Sequence, residues 1–226
     1  MRTSVGLLLL LALWAPARAQ DLQDLLKEVQ EGYPESVTRV LDQKPGLLNE
    51  RNRFGDSPLY EAVYMGRLDI ADVLVGRGAD VNLETNRKTV PMHAAARRQS
   101  TGLANLLLGK GAAVDPLEWR GWSPLHFAVL AAIVDDKGDQ GVIPLLLDKG
   151  ADINRPTGDT FLTPLHMAAA AGRLKLVQLL LDRGAQVNPV ARGWTPLGLA
   201  QRYKLREWEA VATLLKSKGG LEQPPE

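Results

Sequence analysis

The sequence contains no cysteine. This absence excludes a disulfide framework, a thiolate metal site, a lipid-modified cysteine and a cysteine nucleophile. The chain also has no Asn-x-Ser/Thr acceptor for glycosylation. Because exported eukaryotic domains often carry disulfides or glycans, the two absences favour a bacterial periplasm for a chain that leaves the cytoplasm.

The motifs of common catalytic sites are absent as well. There is no Gly-x-Ser-x-Gly elbow, no phosphate-binding glycine loop and no two-cysteine metal knuckle. We therefore expect no enzyme activity, no cofactor and no metal. The alternative from another class is an enzyme that binds a metal through Asp135, Asp136 and Asp139, but these acids lack the alternation and the distal glutamate of a calcium loop. A solvated turn is the better interpretation.

The first residues have the three-part pattern of a secretory signal peptide. Arg2 precedes an apolar run over 5–14, and Ala17-Arg18-Ala19 is an Ala-x-Ala cleavage site before Gln20. The alternative is a membrane anchor, but about 20 apolar residues are needed to span a bilayer. We expect residues 1–19 to be removed on export and no membrane insertion of the mature chain.

The sequence has little excess charge of either sign. It has 27 Lys and Arg against 26 Asp and Glu. Cleavage would remove Arg2 and Arg18 and leave a formal net charge of about −1. Charge alone therefore gives no reason to expect a nucleic acid or an anionic lipid as the partner.

What the sequence does contain is a repeat. Five prolines each occupy the second place of a related tetrapeptide, and they are separated by 33, 33, 40 and 32 residues: Pro58, Pro91, Pro124, Pro164 and Pro196. Three of the tetrapeptides end in Pro-Met-His or Pro-Leu-His, at His93, His126 and His166. Each of four units ends on Gly-Ala followed by an Asp- or Asn-containing turn, at Gly78, Gly111, Gly150 and Gly184. A period near 33 residues is the signature of a stacked repeat protein.

The Thr-Pro-Leu-His start and the Gly-Ala-Asp-Val-Asn end resemble the ankyrin repeat over about Arg51 to Gly220. The resemblance implies an all-α repeat solenoid of helix-turn-helix units with β-hairpin finger loops, about five to six repeats including caps. The expected organisation is a signal peptide at 1–19, an N-terminal capping repeat at 20–52, an ankyrin repeat domain at 53–220 and a tail at 221–226. Its units lie near 53–84, 85–117, 118–156, 157–189 and 190–220.

Local chemistry agrees with this interpretation. A hydroxyl residue before each proline of a Ser-Pro or Thr-Pro pair can cap a helix, and proline at its first position costs no hydrogen bond. The third unit has six extra residues, placed near 134–141, which we expect to lengthen the turn between its two helices. The three histidines fall one per repeat, too far apart to share a metal. The resemblance instead makes them hydrogen-bonding residues between units.

The resemblance also implies where a protein partner would bind: the finger tips and the exposed side of each first helix. The tip positions are Arg53, Phe54, Asp56, Asn86, Arg87, Lys88, Trp119, Arg120, Trp122, Asp159, Phe161, Arg192 and Trp194. The helix positions are Tyr64, Met65, Arg97, Arg98, Leu130, Arg202 and Tyr203. Tryptophan, tyrosine and arginine dominate the binding energy of many interfaces. The alternative for Trp119 and Trp194 is that they pack on the adjacent repeat and steady the fingers.

A basic patch formed by Arg87, Lys88, Arg97 and Arg98 would favour an acidic partner, or is simply a solvated face. We expect a periplasmic protein-binding scaffold, most readily an immunity protein that neutralises a secreted toxic effector, such as a cell-wall amidase or a phospholipase, by occlusion. The alternative is a periplasmic helper that stabilises or docks a resident enzyme, for example one of oxidative-stress defence.

Overall fold

The computed structural model describes residues 4–135 and 141–223. Within them the chain forms twelve α-helices: α1 Ser4–Glu31, α2 Pro34–Gln43, α3 Pro58–Met65, α4 Leu68–Gly76, α5 Pro91–Arg97, α6 Thr101–Gly109, α7 Pro124–Val134, α8 Val142–Asp148, α9 Pro164–Ala170, α10 Leu174–Asp182, α11 Pro196–Tyr203 and α12 Trp208–Ser217. A short 3-10 helix covers Pro45–Leu47. The described residues contain no β-strand, and their one isolated β-bridge joins Ala191 to Trp194. The all-α repeat class is therefore confirmed, and its fingers are short turns.

The chain divides into two compact units, residues 1–91 and 92–226. In the first, α1 packs on α2 and α3, and α4 packs on both α2 and α3. In the second, the first helices α7, α9 and α11 stack in one layer, and among the second helices α6 packs on α8 and α10 packs on α12. Each helix pair thus buries one face against the neighbouring pair, because a single pair cannot enclose an apolar core.

Four first helices, α3, α7, α9 and α11, begin where the sequence places a hydroxyl residue before proline. Thr163 Oγ1 accepts a hydrogen bond from the His166 amide at 3.4 Å, and Ser57 Oγ accepts one from the Tyr60 amide at 3.1 Å. The second helices end at a glycine: Gly184 adopts a φ of 88°, and the amide of Ala185 then bonds back to the Leu180 carbonyl. The predicted caps at both ends are confirmed.

Small residues allow the first helices to approach closely. Ala95, Ala96, Ala168 and Ala169 are completely buried. Leucine, isoleucine and valine fill the space between the layers, and the fully buried set in the second unit includes Leu107, Leu125, Ile143, Leu146, Val177 and Leu180. Full burial of each such side chain stabilises the fold by about 1.5–3 kcal/mol.

The insertion in the third unit does more than lengthen a turn. Helix α7 has 11 residues, whereas α9 has 7, so part of the extra sequence extends the helix itself. The added residues 131–134, Ala-Ala-Ile-Val, are apolar, and one of them, Ala132, is buried. Residues Asp136 to Gln140 of the insertion, and Pro224 and Pro225 of the tail, lie outside the described residues.

At the chain start, α1 runs through the predicted cleavage position between Ala19 and Gln20 without a break. Export and cleavage remain predictions. Over residues 4–135 and 141–223, no helix combines the length and the apolar character needed to cross a membrane.

Candidate protein-binding surface

Five finger turns connect the helix pairs, and each is closed at its base by backbone hydrogen bonding. The pairs are Asn52 with Asp56, Thr85 with Thr89, Glu118 with Trp122, Thr157 with Leu162 and Ala191 with Trp194. A tight reversal of this kind needs a residue at positive φ near its tip. Glycine takes that place in the first and third fingers, at Gly55 and Gly121, whereas Lys88 and Phe161 take it in the second and fourth, with φ values of 57° and 60°. In the fifth finger Arg192 and Gly193 both have positive φ, at 48° and 80°.

A left-handed backbone at a bulky residue costs about 1–3 kcal/mol and persists only where the surrounding structure enforces it. Phe161 combines this backbone with a ring that is 54% exposed. Neither the backbone conformation nor the exposure of an aromatic ring contributes to the stability of the chain on its own. Strain of this type concentrates at binding sites.

Three fingers of the second unit are joined through Asp159. The indole Nε1 of Trp122 donates to Asp159 Oδ1 at 3.2 Å, and Arg120 Nε lies 3.2 Å from Asp159 Oδ2. From the fifth finger, Arg192 Nη2 donates to the Asp159 carbonyl at 2.5 Å. The Gly158 amide also donates to the Arg120 carbonyl at 2.9 Å. Side chains and backbone together therefore hold the fingers in one fixed arrangement.

The ionisation of Asp159 supports this arrangement. Partial burial by itself would raise the pKa of the Asp159 carboxyl, but the hydrogen bond from Trp122 and the positive charge of Arg120 together hold the pKa below its usual value. The carboxylate is therefore charged at neutral pH, and it can accept from both partners at once.

The rings on this surface fall into two groups. Trp119 is 61% exposed, and the Arg120 guanidinium lies 5.2 Å from its ring centroid. Trp122 and Trp194 are half-buried: Trp122 contacts the rings of His126 and Phe127, and Arg202 lies 4.9 Å from the Trp194 ring centroid. The exposed rings of Trp119 and Phe161 are thus open to a partner, whereas Trp122 is held within the scaffold. We define the finger surface as Trp119, Arg120, Phe161, Arg192 and Arg202.

The histidines set the position of these fingers. His93 Nε2 lies 3.1 Å from the Trp122 carbonyl, His126 Nε2 lies 3.0 Å from the Arg155 carbonyl and His166 Nε2 lies 3.0 Å from the Trp194 carbonyl. The Trp122 and Trp194 carbonyls belong to the finger of the following repeat, and Arg155 lies at the end of the third unit, two residues before the fourth finger begins at Thr157. The prediction that these histidines are hydrogen-bonding residues between units is confirmed.

Their protonation state follows from geometry. The Ser123 amide donates to His126 Nδ1 at 3.1 Å, so Nδ1 is the acceptor and Nε2 carries the hydrogen that it donates to Arg155. Burial lowers the pKa of His126 to about 4, more than its backbone hydrogen bonds raise it. Burial likewise lowers the pKa of His166. Both rings are neutral at pH 7.

The first unit holds the remaining finger candidates. Phe54 is 57% exposed, and the Arg53 guanidinium lies 4.6 Å from its ring centroid. Asp56 is half-buried and accepts from Asn52 Nδ2 at 3.2 Å, so it shapes the turn. Tyr64 stacks on Tyr60 with centroids 6.2 Å apart. The other predicted residues of this unit are exposed: Met65, Arg87 and Lys88.

In the second unit, Arg97, Arg98, Leu130 and Tyr203 are also exposed. Sequence reasoning did not single out Leu117 and Val190, which are 43% and 49% exposed and directly precede the third and fifth fingers. The sequence signal that could have identified them is an apolar residue directly before a finger, where no hydrophobic core is available to bury it.

Over residues 4–135 and 141–223, no group of three His, Asp or Glu side chains is placed to hold a metal ion. Asp136 and Asp139, part of the metal alternative, lie outside the described residues.

Stacked helix pairs with projecting fingers define a helical repeat solenoid. The sequence profile of the family described as "Ankyrin repeats (3 copies)" matches residues 77–157 and 130–223, and the single "Ankyrin repeat" profile matches residues 54–86. The chain belongs to the ankyrin repeat family. Ankyrin repeats indicate a protein-binding scaffold.

Related proteins share the repeat region. The chain is 30% identical over 175 residues to human neurogenic locus notch homolog protein 1. The aligned region covers 76% of this chain and 7% of that protein. A putative ankyrin repeat protein of fowlpox virus is 29% identical over 174 residues, covering 75% of this chain and 37% of that protein. The chain thus spans only 6–7% of the length of the notch relatives it matches.

Solved structures show the same fold. The crystal structure of the ankyrin repeat domain of Bcl-3 matches with a TM-score of 0.75 at 26% identity and covers 87% of this chain and 86% of that chain. The human ASB11 ankyrin repeat domain matches with a TM-score of 0.73 at 28% identity and covers 87% and 84% of the two chains.

Proposed function

We propose that this chain binds one protein partner through the finger surface of its second unit. The observation that carries the proposal is the pair of solvent-exposed aromatic rings, Trp119 and Phe161, on fingers fixed to each other through Asp159. Exposed rings on a rigid support lose little conformational freedom on binding. Each contributes about 2 kcal/mol or more when a partner buries it.

The charge of the surface favours a partner with acidic groups around an apolar centre. The surface contains three arginines, and the nearby carboxylate of Asp159 already interacts with Trp122 and Arg120. Complementary charge speeds the encounter, and the rings then slow dissociation.

We further propose that the chain is exported to the periplasm and that its partner is a secreted toxic effector, neutralised by occlusion of the effector's active site. The signal-peptide pattern at residues 1–19 supports export, and the absence of cysteine and of glycosylation acceptors favours a bacterial periplasm over eukaryotic secretion. The role as an inhibitor follows from fold and compartment by analogy. N-terminal sequencing of the protein recovered from its cells tests export: the chain should begin at Gln20, and a chain that keeps residues 1–19 rules out cleavage at this site.

Affinity capture from periplasmic and secreted extracts tests the binding. The wild-type chain should recover one protein, the variant Trp119→Ala with Phe161→Ala should not, and the matched control Tyr33→Ala with Leu68→Ala should. Tyr33 and Leu68 are 54% and 46% exposed and lie outside the fingers. Equal recovery by all three chains would remove the finger surface from the proposal. A captured hydrolase that loses activity in the complex supports inhibition, and a resident enzyme that keeps its activity supports the helper role instead.

A further inference from the structure

The first unit contains a groove of about 600 Å³ that the proposed function does not use. It lies between helix α1 and the first finger. Leu22 and Leu26 of α1 are almost buried and form its floor, Phe54 lines the finger side with a ring that is 57% exposed, and Lys27 and Arg53 lie at its rim. An apolar floor with charged edges is the usual composition of a site that binds a peptide segment.

The lysine and arginine side chains of the groove differ in whether a carboxylate lies beside them. Arg18 forms an ion pair with Glu50 at 2.7 Å, and Lys27 lies 3.8 Å from Glu31. Arg51 instead donates to the Glu84 backbone carbonyl at 3.0 Å, and Arg53 lies over the Phe54 ring at 4.6 Å. Neither contact places a formal negative charge beside the guanidinium, and within residues 4–135 and 141–223 neither arginine is paired with a carboxylate.

The finger that carries these groups is fixed in advance of any binding. Asn52 Oδ1 accepts from the amides of Phe54 and Asp56 at 2.8 and 3.0 Å. From the next finger, Asn86 donates its side-chain amide to the Arg53 carbonyl at 3.0 Å and its backbone amide to the Phe54 carbonyl at 3.1 Å. The backbone of Arg53 and Phe54 is therefore held on both sides, which lowers the entropy lost on binding.

We propose that this groove binds an extended acidic segment of a protein, with carboxylates facing Arg51 and Arg53 and one apolar side chain against Leu22, Leu26 and Phe54. A guanidinium matches a carboxylate with two parallel hydrogen bonds, which fixes the orientation of the segment. The apolar floor disfavours a nucleic acid, because the groove offers its bases no stacking partner except Phe54. The proposal does not depend on the finger surface of the second unit.

The test uses the chain as purified from its own cells. The groove residues that carry the proposal all follow Ala19, so they are present whether or not residues 1–19 are removed. The probe is a short fluorescein-labelled peptide rich in aspartate and glutamate with a central leucine, and its binding is followed by fluorescence anisotropy. The comparison peptide has asparagine and glutamine in place of the acids.

Arg51→Gln with Arg53→Gln should weaken binding of the acidic peptide by about tenfold or more, because both charges that face the carboxylates are lost. The matched control, Arg39→Gln with Arg77→Gln, removes the same charge outside the groove lining and should change binding less than about twofold. The amide peptide should not bind, and binding of the acidic peptide should weaken as salt is added.

Three outcomes overturn the proposal: no binding of the acidic peptide, equal weakening by both double variants, or displacement of the peptide by a labelled oligonucleotide that binds with the same arginine dependence. If the Arg51 and Arg53 double variant loses its helical circular dichroism, Arg53→Gln with Phe54→Ala gives a second test, because it removes one of the two facing charges and the exposed ring of the apolar contact. Both side chains are exposed, so their replacement leaves no cavity in the core.

Discussion

The indole Nε1 of Trp122 donates a hydrogen bond of 3.2 Å to Asp159 Oδ1, and the two residues are 37 positions apart in the sequence. The bond joins the tips of two successive fingers across the longest repeat of the chain. It converts two independent turns into one surface, with Arg120 as a second contact to the same carboxylate. The orientation of the exposed Trp119 ring therefore depends on the next repeat.

Replacing Asp159 with alanine should loosen this surface. The loss of the hydrogen bond from Trp122 and of the contact with Arg120 should lower the free energy of unfolding by about 1 kcal/mol. The Trp122 emission should shift to longer wavelength as water reaches the indole, and partner capture should weaken. Urea unfolding, tryptophan fluorescence and affinity capture measure the three effects in turn. Asp72→Ala, at an exposed position on α4, is the control, and an equal spectral change there would contradict the assignment.

Phe161→Gly should be more stable than Phe161→Ala, although both variants should bind the partner more weakly than the wild-type chain. Glycine tolerates the φ of 60° without steric cost, so the free energy of unfolding should rise by about 0.5–1 kcal/mol relative to Phe161→Ala. Both variants lack the ring and should lose the partner equally. Urea unfolding of the two variants separates backbone strain from recognition. A glycine variant less stable than the alanine variant would show that the backbone here is not strained.

Gly121→Ala should be among the most damaging changes in the fingers. A Cβ at this position would lie 2.6 Å from the Gly158 amide nitrogen, and the φ of 75° already disfavours alanine. We expect a loss of about 2 kcal/mol in the free energy of unfolding, because the next finger must move. Gly193→Ala is the matched control: its φ is 80° but no atom lies within 4 Å of the new Cβ, so it should cost only about 1 kcal/mol. Equal losses would mean that the contact with Gly158 is easily relieved.

The stability of the chain should fall between pH 7 and pH 5 because of His126. Its folded pKa of about 4 lies below the ordinary value of 6.5, so the unfolded state binds the proton first. The stabilisation is complete above the unfolded pKa and is lost as the pH falls towards the folded one. From pH 7 to pH 5 this one residue should contribute a loss of about 2 kcal/mol.

Urea unfolding at the two pH values measures this effect. His126→Asn removes the titration, so the difference between pH 7 and pH 5 should shrink by about the same 2 kcal/mol, although the variant is less stable throughout. His166 keeps a dependence of the same sign, because its pKa is also lowered by burial. An unchanged pH dependence in His126→Asn would place the titration elsewhere.

Much of the fold was predictable because the repeat signals are local. A hydroxyl residue before proline starts a helix, and Gly184 ends one, whatever surrounds them. The extension of α7 was missed, since residues 131–134 fit equally well at the end of a helix and in an apolar turn. The identity of the finger residues was predicted as well, because it follows from their distance to the prolines.

The sequence did not predict which aromatic rings of the fingers are exposed and which are buried. Trp119 and Trp122 lie three residues apart in one finger, yet Trp119 is 61% exposed and Trp122 is half-buried against His126 and Phe127. The strained backbone of Phe161 has no sequence signal, since an aromatic residue is among the least expected at positive φ. The pairing of Trp122 with Asp159 spans an insertion whose path the sequence does not define.

The sequence by itself therefore determined the helix pairs, their caps and the family, because each depends on residues within one turn of one another. The tertiary structure decided which rings stay in solvent, which carboxylate joins the fingers and which arginines of the first unit remain without a carboxylate partner. These properties depend on contacts between residues about one repeat apart. Such contacts form only when helix pairs stack to bury an apolar core that no single pair can enclose.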